Sequence, residues 1–187
     1  MKPQIKISLN DLKETPCDEY LRVILKRYGR DRLFDHLELI DEIGDNNYGD
    51  ISWLIKNCKI AQTDEIIEYY KSLNPDYGDV SWLIENCKIA QTNEMLEYFK
   101  SLAPYYENVS WLISKCEFAQ TNEMLEYYKS LDPNHRDVSS LISDCEFAQT
   151  DDMLEYYLSL DPYYNNIKWL INACEFARNH YLLKEYL

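Results

Sequence analysis

A block of 29 residues recurs through most of this chain, and that repetition limits the folds open to it more than any other feature. Residues 50–78 read DISWLIKNCKIAQTDEIIEYYKSLNPDYG and residues 79–107 read DVSWLIENCKIAQTNEMLEYFKSLAPYYE, identical at 20 of 29 positions. Residues 108–136 and 137–165 repeat the pattern, and residues 166–187 hold a truncated fifth copy. A unit this short cannot bury its own apolar face. Stacking against neighbours supplies the missing cover, so the period predicts a quasi-one-dimensional, all-α solenoid of about five helix-turn-helix units.

Within a unit the pattern reads as two helices. Helix A is expected to start at Asp50, Asp79, Asn108, Asp137 or Asn166, all good N-cap residue types. In the first unit Ile51, Leu54, Ile55, Cys58 and Ala61 fall at spacings of three, four and seven, which place one apolar stripe on a helix. A break is expected at the Gln-Thr pair. Thr63, Thr92, Thr121 and Thr150 then cap helix B, with acids in its first turn to complement the helix dipole. Helix B carries Ile66, Ile67, Tyr70 and Leu73, and ends before Pro75, Pro104, Pro133 or Pro162, because the residue before proline is pushed out of helical geometry. Each helix is about 10 to 12 residues, marginal in isolation.

Residues 1–47 lack the motif and are read as an N-terminal helical capping segment, leaving 48–187 as the repeat array. Pro16 resembles a first helical residue and Gly29 a C-cap. A second helix is expected from about Asp31 to Ile43, with Leu33, Leu37 and Ile40 on one face. At the other end Leu182, Leu183 and Leu187 leave an apolar terminus, which makes homo-oligomerisation there an option.

The unit resembles a short ankyrin repeat. Ankyrin units pair two short antiparallel helices, the second often reading like LEVVKLLLEKGA; here the matching stretches are TNEMLEYFKSLAP and TNEMLEYYKSLDP. VSWL or ISWL replaces the TPLH opening, Gln91 and its equivalents replace the glycine between the helices, and the period is 29 where about 33 is usual. The missing residues correspond to the β-hairpin finger, so short loops are expected there. The resemblance covers residues 50–187 and implies a binding scaffold.

Charge and cysteine usage narrow the function. The net charge is -14. Residues 1–47 carry 8 basic and 10 acidic side chains, so the array, with 11 basic and 23 acidic, is the acidic part. Such a surface disfavours direct binding to nucleic acid or to anionic membranes, where cationic side chains must neutralise phosphates. Cys58, Cys87, Cys116, Cys145 and Cys174 recur at the repeat interval. Stacked helices lie about 8–10 Å apart, whereas a disulfide needs Cα atoms within about 7 Å. These cysteines are read as small buried apolar residues, and unpaired thiols suit a reducing, cytoplasmic setting. The first residues contain no apolar run of signal-peptide type, and no segment approaches the roughly 20 apolar residues of a membrane span.

No GxSxG, HExxH or phosphate-cradling glycine loop appears, and the carboxylates recur with the repeat instead of converging on one cleft. A non-enzymatic protein with no cofactor and no metal is expected. The candidate contact residues are periodic. Trp53, Trp82, Trp111 and Trp169 open helix A, while the fourth unit has Ser140. They either pack between units beside Ile60, Ile89, Phe118 and Phe176 or form an exposed row; the Trp-to-Ser exchange points to exposure. Tyr69, Tyr98, Tyr127 and Tyr156 lie beside the core stripe of helix B. Tyr77, Tyr105, Tyr106, Tyr163 and Tyr164 lie in the inter-unit loops, and Glu68, Glu97, Glu126 and Glu155 form a stacked row. The expected role is a scaffold that binds a protein, with a basic surface as its complement, as adaptor or inhibitor. The alternative is an acidic nucleic-acid mimic that inhibits a DNA- or RNA-binding enzyme. Net -12 over about 50 Å is one charge per roughly 4 Å, against about 1.7 Å for duplex DNA, so mimicry would need the acids gathered on one face.

Overall fold

The computed structural model describes residues 6–8, 33–35 and 48–186. The chain divides into two compact units, Met1–Leu102 and Ala103–Leu187. In the first, strand β1 (Lys6–Ser8) pairs antiparallel with β2 (Leu33–Asp35), Ile7 opposite Phe34. The helix expected from Asp31 therefore fails over Leu33–Asp35, where the backbone takes its hydrogen bonds from a strand distant in sequence, a pairing no local periodicity reveals. The rest of the expected capping segment lies outside the described residues.

From Tyr48 onward every element is helical, and the elements recur at the sequence interval. The first unit holds α1 (Tyr48–Asn57), α2 (Asp64–Ser72), α3 (Tyr77–Asn86) and α4 (Asn93–Ser101). The second holds α5 (Tyr106–Lys115), α6 (Asn122–Ser130), α7 (His135–Asp144), α8 (Asp151–Ser159), α9 (Tyr164–Ala173) and α10 (Glu175–Asn179). In the first unit α1 packs on α2 and α3, and α3 on α4. In the second, α5 packs on α6 and α7, α7 on α8 and α9, and α9 on α10.

The stripe residues form the core. Val80, Leu83, Ile84, Cys87 and Ala90 are buried against Met95, Leu96 and Phe99, and the other units bury the equivalent side chains. Removing a Leu or Ile side chain from water is worth about 1.5–3 kcal/mol, which offsets the ordering cost of helices too short to persist alone. All five repeat cysteines are buried; the Cys145 and Cys174 thiols point at the Ile113 and Ile142 carbonyls of the preceding copy, at 3.8 and 3.9 Å.

Both ends of helix A differ from expectation. The N-cap lies three residues upstream, at Asp76, Tyr105, Asn134 and Tyr163. Asp79, Asn108, Asp137 and Asn166 are instead third residues within their helices, and Asp50 likewise falls inside α1. The chain leaves the proline already extended, so Asp76 reaches the Asp79 N–H at 2.9 Å and Asn134 accepts from Arg136 and Asp137. At the other end, helix A stops at Asn57 or its equivalent. Cys58 is extended, and Lys59–Ala61 turns as a 3₁₀ segment, so the stripe continues past the end of the helix. The glutamine after this turn closes it: Gln62, Gln91 and Gln120 donate side-chain N–H groups to the Ile55, Ile84 and Ile113 carbonyls. Arg178 does the same to Ile171 in the last copy.

Helix B starts where expected. The hydroxyls of Thr92, Thr121 and Thr150 accept the N–H three residues on, at 3.2 Å, whereas Thr63 makes no such bond. Its C-terminal exit needs a left-handed residue before the buried proline: Asn74, Ala103, Asp132 and Asp161 have φ of 53, 51, 52 and 50°. Asn and Asp tolerate this geometry, but alanine has no local side-chain hydrogen bond to compensate for its Cβ. Ala103→Asn is expected to stabilise the protein by about 0.5 kcal/mol in urea unfolding; a loss would show that the alanine methyl packs.

The truncated last copy ends differently. α10 gives way at His180 to a 3₁₀ segment, Tyr181–Tyr186, which packs on α9 and α10 and buries Leu183. The His180 ring is buried and meets Asp151 at 2.9 Å, its own counterpart one repeat earlier.

Candidate interaction surface

Trp53, Trp82, Trp111 and Trp169 occupy one turn of helix A, one residue before the buried leucine and two before the buried isoleucine. That position lies at the margin of the apolar stripe. Trp82, Trp111 and Trp169 are 37, 56 and 47% exposed, and Trp53 is half-buried. The indoles therefore line the outer side of helix A. Lysines lie over two of them: Lys56 Nζ is 5.1 Å from the ring centre of Trp82, and Lys115 Nζ is 5.1 Å from that of Trp111.

Ser140 interrupts the row. It is exposed on α7, with a hollow on each side. Towards α5 lies a hollow of about 170 Å³ walled by Trp111, and towards α9 one of about 250 Å³ walled by Trp169.

The loop tyrosines divide. Tyr105, Tyr163 and Tyr164 are 67, 73 and 55% exposed, whereas Tyr77 and Tyr106 are half-buried at the first position of α3 and α5. The helix B tyrosines have a structural task. Tyr98 donates its hydroxyl to the Lys71 carbonyl, and Tyr156 to that of Lys129, each at 3.2 Å, tying helix B to the end of its predecessor.

Beside these bonds the acidic row pairs within the chain. Lys71 bridges Glu68 and Glu94, Lys129 bridges Glu126 and Asp152, and Lys100 pairs with Glu97. Burial alone would lower the Lys71 and Lys129 ammonium groups, but hydrogen bonds to their paired acids outweigh it and hold both above the usual lysine value. Three of the four row glutamates thus have a lysine three residues on. Glu155 has Leu158 there instead.

Carboxylates of helix A behave differently. Burial, the hydrogen bond shared with Asp76 and the Asp76 charge raise Asp79 to about 6. Burial likewise raises Asp137, whose Oδ2 is shielded from water and has no hydrogen-bond partner. Sequence reading missed both, because their burial depends on the neighbouring copy.

Among the described residues no group of three His, Cys, Asp or Glu side chains is placed to hold a metal ion, and no helix is long and apolar enough to cross a membrane. Comparison with family models, curated proteins and solved structures gives no match.

Proposed function

We propose that the 29-residue copies belong to one ankyrin-like solenoid, a non-enzymatic scaffold that binds a protein partner through the tryptophan row of helix A, as adaptor or inhibitor. The observation that carries this reading is the exposure of Trp82, Trp111 and Trp169 at equivalent positions. Large indoles left in water at one repeating position are costly unless something covers them, and tryptophan dominates the energetic centres of protein interfaces. The solenoid reading draws on the period, which runs unbroken through residues 102 and 103, and on helix A packing against helix A in each unit. The net charge favours a partner with a basic surface. Three of the four glutamates of the helix B row are less available to it, since lysines of this chain engage them.

The natural serine at position 140 supplies the test. Trp111→Ser with Trp169→Ser should change unfolding stability by less than about 1 kcal/mol, as exposed substitutions do. The same variant should fail to retain, from native cells, a protein that the tagged wild type captures. Equal capture by both proteins would refute a contact role for the row. A stability loss of several kcal/mol would instead make the indoles part of the core.

A further inference from the structure

The serine interruption coincides with a change in charge. In the groove between α5 and α7, Glu107, Trp111 and Lys115 follow one another at intervals of four on one helix, and Asp137, Ser140 and Asp144 at three and four on the other, so two stripes face each other. The equivalent positions between α1 and α3 are Gly49, Trp53, Asn57, Asp79, Trp82 and Asn86. Those between α7 and α9 are Arg136, Ser140, Asp144, Asn166, Trp169 and Ala173. Each of those sets holds one acid, whereas the α5–α7 set holds three; it shares with the α7–α9 set the loss of one indole at Ser140, while the α1–α3 set keeps two.

We infer that the α5–α7 notch receives an arginine side chain of the protein partner, its guanidinium flat against Trp111 and its N–H groups directed at Glu107, Asp137 and Asp144. This deepens the tryptophan-row reading and rests on it. Three observations select the occupant. The missing indole at Ser140 leaves a hollow of about 170 Å³, open to an incoming side chain. The exposed Trp111 ring already attracts a cation, because Lys115 lies 5.1 Å from its centre. The carboxylates of Glu107, Asp137 and Asp144 leave the notch with one ammonium, that of Lys115, against three negative groups. A planar guanidinium can stack on an indole and donate to carboxylates at once, which an ammonium cannot.

The probe is Nα-acetyl-arginine-N-methylamide, titrated into the full-length protein and followed through the indole N–H resonance of Trp111. The isosteric but uncharged citrulline compound serves as control. Arginine should shift the resonance saturably, and citrulline should bind at least about tenfold more weakly. Ser140→Trp restores the residue found in the other copies, so the fold should persist while arginine binding falls at least about tenfold. Asp144→Asn, at an exposed position, should weaken arginine binding severalfold without filling the notch. Absence of a saturable shift overturns the inference, as do equal responses to citrulline or an unchanged arginine response in both variants. Partner capture separates the two levels. If Ser140→Trp retains the partner and Trp111→Ser with Trp169→Ser loses it, the arginine notch is refuted and the tryptophan row stands.

Discussion

Truncating Phe99 to alanine is expected to destabilise the protein by about 3–5 kcal/mol, the cost of the lost transfer free energy plus the cavity left behind. Phe99 is fully buried on α4, on the same face as Met95 and Leu96, and Tyr70, Tyr128 and Tyr157 fill its place in the other copies. An aromatic ring is therefore the constant at this position and the hydroxyl is not. The buried hydroxyls of Tyr128 and Tyr157 have no hydrogen-bond partner, and burial pushes that of Tyr157 up to about 12. The effect should appear in urea unfolding and as lost hydrogen-exchange protection in α3 and α4, whose helices pack together. A loss below about 1 kcal/mol would show that the ring does not hold this core.

Replacing Asp79 by asparagine should instead stabilise the protein, and the gain should depend on pH. In the folded chain the Asp79 carboxyl is raised from 3.8 to about 6, first by burial and then by Asp76. The folded state therefore holds this proton more tightly than the unfolded state does. Above about pH 6 the folded protein carries an ionised carboxylate that burial and Asp76 disfavour, and stability is lower for it. As pH falls through 6 towards 4 the folded state takes up the proton first and the penalty disappears. The neutral amide of the Asp79→Asn variant would carry no such penalty, and Asn108 and Asn166 already occupy this position in two other copies. The expected gain is about 1 kcal/mol at pH 7 to 8, allowing for the water that still reaches the group and for the helix dipole that favours an acid here. It should shrink to nothing near pH 4. A gain that ignores pH, or a loss at pH 7, would contradict this account of Asp79.

What could be read from the residues was much of what spacing along one helix governs, though not the start of helix A, which lies three residues before Asp79 and its equivalents. The interval of 29, the stripe from Ile51 to Ala61, the threonine starts of helix B and the proline exits all act through bonds and contacts within a few residues. The interval, the threonine starts and the burial of the stripe appear as expected, but the stripe leaves the helix at Asn57 and runs through an extended Cys58 into a 3₁₀ turn. The glutamine was legible only as a break, since its partner carbonyl lies seven residues back, where a 3₁₀ turn has to bring it.

Tertiary contact decided the remainder. Whether Trp111 faces the core or water cannot follow from its place at the edge of the stripe, because the neighbouring helix determines how much of that edge is covered. Leu33–Asp35 is a strand for the same reason, its partner lying near residue 7. Lys71 and Lys129 reach Glu94 and Asp152 of the next copy, and Asp137 is raised by burial, because another segment lies against each. The helical units are thus determined locally, while the chemistry of their outer faces is determined by what packs beside them.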